Sequence, residues 1–72
     1  VFSKKKYLKL FGSHIRVLRH KKGYTQQHLS HLMNKDTQSL QRVERGVINP
    51  SIFYIYELAN ALEVSPKELL DF

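Results

Sequence analysis

This 72-residue sequence predicts an all-α fold, and three kinds of observation predict it. Apolar residues recur three and four apart in successive stretches, the repeat of a helix with 3.6 residues per turn. Ser, Thr or Asp stands just ahead of such stretches, where a side-chain oxygen can cap free helical amides. Gly23, Asn34 and Gly46 follow them, and these residue types enter the left-handed conformation at little cost and so end helices.

The first helix shows its stripe in Leu8, Phe11, Ile15 and Leu18 and ends near Lys22, with Gly23 as its stop. Ser3 can cap it, but Lys4, Lys5 and Lys6 place like charges near its positive end, where anions are preferred. Residues 1–6 therefore read as a basic N-terminal arm that begins loosely, and residues 7–72 as the folded domain. Gly12 lies inside this helix, at a cost of roughly 1 kcal/mol relative to alanine. Close approach of another helix would explain it. Tyr24 is expected to pack its ring, with the hydroxyl at the surface.

Thr25 announces a second helix starting at Gln26, whose inward residues are Leu29, Leu32 and Met33. A turn is expected at Asn34. Asp36 then caps a third helix, its carboxylate also suiting the positive end of the dipole. Up to Gly46 this helix offers only Leu40 and Val43 as apolar residues. With these inward, Gln38, Gln41, Arg42 and Arg45 point the opposite way and Thr37 lies at their edge.

The next segment, VINPS, is a loop: Pro50 disfavours helix at Asn49, and Ser51 can cap a fourth helix. Ile48 is expected to plug the core. Helix four runs from Ser51 to about Leu62 and places Ile52, Ile55, Leu58, Ala59 and Leu62 on one stripe. Phe53, Tyr54 and Tyr56 fall on its remaining faces, and exposed aromatic clusters favour protein contacts. The last helix opens on a capping box, Ser65 and Glu68, with Pro66 at its first position. Leu69 and Leu70 are expected to close the core, leaving Phe72 for a partner chain.

Amide and guanidinium groups, as on the outer face of helix three, make paired hydrogen bonds to adenine and guanine edges in the DNA major groove. An ordinary solvated face carries such groups too. The order of the pieces decides between them. From about Phe11 to Leu70 the chain runs through IRVLR, GYTQQHLS, SLQRVERG, NPS and LANALEVSPKELL, and in this it resembles the phage-repressor and Cro-type helix-turn-helix regulators, the XRE type.

That resemblance implies a compact, lambda-repressor-like five-helix DNA-binding domain, with helices two and three as the helix-turn-helix and the third in the major groove. It implies that Thr37, Gln38 and Arg42 reach base edges, with Gln41 a less constant contributor. Gln26 matches a glutamine that touches a phosphate and braces the recognition helix. The loop after Gly46 is expected to run along a DNA strand, with Arg45 and Asn49 as phosphate contacts. The family usually has glycine and an apolar residue where this chain has Asn34 and Lys35; Lys35 is expected to reach a phosphate. It also commonly ends helix four with glycine, where this chain has Glu63.

Arg19 and Glu44 each sit on the flank of an apolar stripe, where a charge is half buried and needs a partner. The family pairs an arginine and a glutamate at these positions, so a structural ion pair is expected. A homodimer is expected through helices four and five, with Phe53, Tyr54, Tyr56 and Phe72 as interface candidates. Such a dimer implies a repressor on a roughly palindromic operator.

Composition agrees with a polyanion as partner. The formal charge is +6, but residues 1–46 hold eleven Lys and Arg against two acids, while residues 47–72 hold one lysine against four acids. That polarity would orient the domain in the field of double-stranded DNA. The absence of cysteine removes disulfides and thiolate zinc sites. No run reaches the ~18 apolar residues of a membrane span, and the basic start lacks a signal-peptide apolar region, so a cytoplasmic protein is expected.

Enzyme chemistry has little support: no glycine-rich phosphate loop, no nucleophile with a base, no paired carboxylates. His28 and His31 are three apart, yet no third ligand accompanies them, so neither a metal nor a cofactor is expected. The rival class is an antitoxin-like or other protein-binding module with this same fold. The start at Val1 fits a fragment of a longer chain, in which a partner domain would lie elsewhere.

Overall fold

The computed structural model describes residues 2–72. They form five helices and no strand: α1 Lys4–Lys21, α2 Gln26–Leu32, α3 Thr37–Arg45, α4 Ile52–Leu62 and α5 Pro66–Leu69. Each begins on a side-chain cap. Ser3, Thr25, Asp36, Ser51 and Ser65 accept a hydrogen bond from the amide three residues on, at 2.9–3.2 Å. These bonds satisfy donors that have no partner within the helix.

The turns use the residues whose backbones tolerate them. Gly23, Asn34, Gly46 and Glu63 take φ of 73°, 56°, 74° and 59°. At Asn34 this lets the chain reverse between α2 and α3. At Glu63 a side chain stands in the left-handed region, an uncommon place for a residue other than Gly, Asn or Asp. Its carboxylate is held there by Lys22, whose Nζ is 2.7 Å from Glu63 Oε1.

The core joins all five helices through Phe11 and Ile15 of α1, Leu29 of α2 with Met33 just after it, Leu40 and Val43 of α3, Leu58, Ala59 and Leu62 of α4, and Leu69 of α5. Gly12 is where α1 crosses α3. A Cβ there would lie 2.5 Å from the Val43 carbonyl oxygen and nearer still to that of Glu44, so only glycine allows the approach.

Several sequence expectations need correction. Lys4, Lys5 and Lys6 form the first turn of α1, not a loose arm. Leu32, Ile52 and Leu70, expected in the core, are 47%, 82% and 45% exposed. On α4, Ile52 lies about 100° from the centre of the buried face, while Tyr54 turns onto that face and packs against the core. The Tyr54 hydroxyl is buried without a hydrogen-bond partner among the described residues, and burial pushes its pKa up to about 12. Phe72 leans on α1, its ring centroid 5.1, 6.0 and 5.7 Å from those of Tyr7, Phe11 and His14, and is still 42% exposed. His14 Nε2 adds a hydrogen bond to the Glu68 carbonyl at 2.7 Å, tying α5 to α1.

Candidate nucleic-acid interface

α3 is amphipathic in an unusual sense, because its buried face contains a carboxylate. Leu40 and Val43 are 1% exposed and Glu44 2%. A buried carboxylate is tolerable only when its oxygens are matched by donors. Arg19 supplies two, Nε to Oε2 at 2.7 Å and Nη2 to Oε1 at 3.1 Å, the forked geometry that suits a guanidinium. Gln26 Nε2 donates to Oε1 at 3.0 Å, and Arg16 Nε lies 3.6 Å from the same oxygen.

Glu44 thereby links α1, the first residue of α2 and α3 at one point. Arg19 is fixed in turn, since its Nη1 donates to the Tyr24 carbonyl at 2.9 Å. The sequence offered Arg19 and Glu44 as partners through their flank positions; Arg16 was missed. It lies three residues before Arg19, hence on the same side of α1, and its guanidinium remains half exposed.

The front of α3 starts on Asp36, which accepts from Ser39 N at 2.9 Å and from Ser39 Oγ at 2.8 Å. The Ser39 hydroxyl, then its amide, hold the Asp36 carboxyl below its ordinary pKa. Gln38, Gln41, Arg42 and Arg45 all lie exposed on the side away from Leu40 and Val43, and Thr37 is half-buried at the edge. Among the described residues none of these four side chains makes a hydrogen bond or ion pair within the chain. The helix is held from behind, and its outward donors are unspent.

Gln26 sits at the edge of this surface, half-buried, with its amide on Glu44. Arg45 and Asn49 are exposed at the end of α3 and in the loop after it, while Ile48 packs inward. Lys35 Nζ lies 3.3 Å from Glu57 Oε1 on α4, a partly exposed ion pair between the turn and the fourth helix. His28 packs edge-on against Tyr24, with centroids 4.7 Å apart.

A helix-turn-helix family model matches residues 15–69. The chain belongs to that helix-turn-helix family. An uncharacterized HTH-type transcriptional regulator, y4dJ of Sinorhizobium fredii (strain NBRC 101917 / NGR234), is 44% identical over 62 residues, 86% of this chain and 80% of that protein. The crystal structure of the restriction-modification controller protein C.AhdI from Aeromonas hydrophila superposes with a TM-score of 0.83 at 41% identity, covering 89% of this chain and 96% of that one. A hypothetical transcription factor from Neisseria, NHTF, gives 0.85 at 26% identity over 97% and 80%. This helix-turn-helix protein is a transcriptional regulator with a DNA-binding fold, and not an enzyme. No helix among the described residues is long and apolar enough to cross a membrane.

Proposed function

We propose that the protein reads a specific double-stranded DNA sequence through α3 and represses transcription as a homodimer on a roughly palindromic operator in the cytoplasm. The observation that carries the reading is the outer face of α3, whose amides and guanidinia are free while Glu44 fixes the helix behind them. Thr37, Gln38 and Arg42 reach base edges, with Gln41 assisting. Arg42 suits guanine and Gln38 adenine, because each pairing satisfies two hydrogen bonds at once. Gln26, Arg45 and Asn49 take phosphates and set the register.

Ile52, Phe53 and Tyr56 supply the dimer surface: they are 82%, 62% and 50% exposed, and the last two stack at 5.8 Å. Tyr54 is left out of it, being packed against the core, while Phe72, 42% exposed, stays a candidate. Two copies joined there would present their α3 helices about one DNA turn apart, ~34 Å. The similarity to a restriction-modification controller protein favours a regulatory role over a structural one.

The same aromatic surface would serve a protein-binding module of the antitoxin kind. Replacing Gln38 and Arg42 together by alanine separates the two. A DNA reader loses its sequence preference, at about 1–3 kcal/mol per base pairing removed. Retention of that preference in the double variant contradicts the proposal.

A further inference from the structure

Where this chain departs from the pattern of its family, the departures meet at one place. Lys35 stands in the turn where an apolar residue is usual. Glu63 ends α4 where glycine is usual, so a side chain occupies the left-handed region at φ 59°. A third irregularity is Leu32 on α2, an apolar side chain left 47% exposed. Leu32 and Glu63 line the same groove, about 510 Å³ in volume, between the end of α2 and α4. Lys35 is ion-paired to another lining residue, Glu57. Local rules broken together mark a position kept for something other than stability.

The lining of the groove is part apolar and part acidic. Met33, buried, and Tyr24 and Ala61, half-buried, continue the apolar surface that begins at Leu32. Glu57 lies four residues before Ala61 and so shares its face of α4. Next to Tyr24 in the chain, Lys22 places its Nζ 2.7 Å from Glu63 Oε1; just beyond Met33, Lys35 places its Nζ 3.3 Å from Glu57 Oε1. Neither Oε2 accepts a hydrogen bond among the described residues. Both charged residues of the lining are acids, and the two lysines stand outside it.

We infer that this groove docks a short segment of a partner protein, an apolar anchor side chain flanked by Lys or Arg. The anchor covers Leu32 and Met33, and the flanking cations reach the open oxygens of Glu57 and Glu63. Charge selects this occupant, because the groove is acidic and lies against the half of the chain where one lysine faces four acids. Shape selects a peptide, because the groove is open, whereas a small ligand needs most of its surface enclosed. No residue of α3 lines it, so the partner is held without occupying the reading face.

The test is selection from a displayed library of random peptides against the whole chain, followed by titration of the enriched peptides with amide shifts read by NMR. Enriched sequences should carry an apolar residue flanked by Lys or Arg and shift the amides of Leu32, Met33 and Ala61. They should bind roughly tenfold or more weakly to Leu32→Ser and, separately, to the Glu57→Gln, Glu63→Gln variant. Both variants change surface side chains, and thermal denaturation checks that each is folded. Enriched peptides without a cation, equal binding to the folded variants, or shifts confined to Ile52, Phe53 and Tyr56 overturn the inference, as does a library that yields no binder. Weaker self-association of Leu32→Ser in sedimentation also overturns it, by giving the groove to a second copy. Failure of α3 to read DNA would leave all these results unchanged, so the two readings are tested apart.

Discussion

α3 and α4 rest on the same core and bury similar apolar residues, Leu40 and Val43 in one, Leu58, Ala59 and Leu62 in the other. Their outer faces have nothing in common. α3 shows water Gln38, Gln41, Arg42 and Arg45, whereas α4 shows it Ile52, Phe53 and Tyr56. They are also held by different means. Behind α3 stand a buried carboxylate with hydrogen-bond donors from Arg19 and Gln26, the Arg16 guanidinium nearby, and a backbone contact through Gly12. α4 is held by apolar packing and one ion pair to Lys35. Hydrogen bonds to base edges demand a fixed helix angle, and an apolar contact between protein surfaces tolerates adjustment. Partner chemistry is therefore legible in the outer face, and the required precision in what stands behind it.

The largest effect should come from cutting the support of α3. Glu44→Ala leaves the Arg19 guanidinium buried without its carboxylate, and should cost on the order of 3–5 kcal/mol in denaturant unfolding. An unchanged midpoint would mean that charge does not fix α3. A smaller effect is expected on α4. Phe53→Ser with Tyr56→Ser removes exposed rings, so monomer stability should stay within about 0.5 kcal/mol while self-association in sedimentation weakens by roughly tenfold or more. Equal association in the variant would place the dimer surface elsewhere.

The smallest effect concerns the first residue before each helix. α3 starts on a titratable cap, Asp36, and α4 on the hydroxyl of Ser51. Since folding depresses the Asp36 pKa, its contribution is full above the ordinary value of 3.8 and is lost as pH falls through the lower folded value. Glu63, depressed chiefly by its hydrogen bond to Lys22, loses its contribution as pH falls below its own ordinary value of 4.5 and through its lower folded value. Amide exchange followed down through that window should show the first turn of α3 loosening while that of α4 does not, and Asp36→Asn should flatten the difference. Equal loosening of both would contradict the asymmetry.

Five helices were legible because their starts depend on contacts three residues long, written in Ser3, Thr25, Asp36, Ser51 and Ser65. The edges of the apolar stripes were not. Whether Leu32, Ile52 or Tyr54 is covered depends on which helix lies above it, and a stripe read at 100° per residue leaves that edge open. Lys4 to Lys6 read as loose on charge alone, yet Phe11 and the Gly46 contact at Lys9 carry the helix back through them. At the site, the composition of the α3 face was open to reading. The bracing role of Gln26 came with the family resemblance, whereas the Arg16 arm on Glu44 and the His14 bond to Glu68, 54 residues away, exist only once the chain is folded.

The central claim is that the face bearing Gln38 and Arg42 reads sequence. Its most direct test is selection of sites from a random DNA pool, then titration of the best site against scrambled DNA at two salt concentrations. The expected result is an inverted repeat bound roughly 10³-fold or more above scrambled DNA. Weak, unselective binding abolished by salt would contradict the claim, leaving only attraction between a basic surface and phosphates.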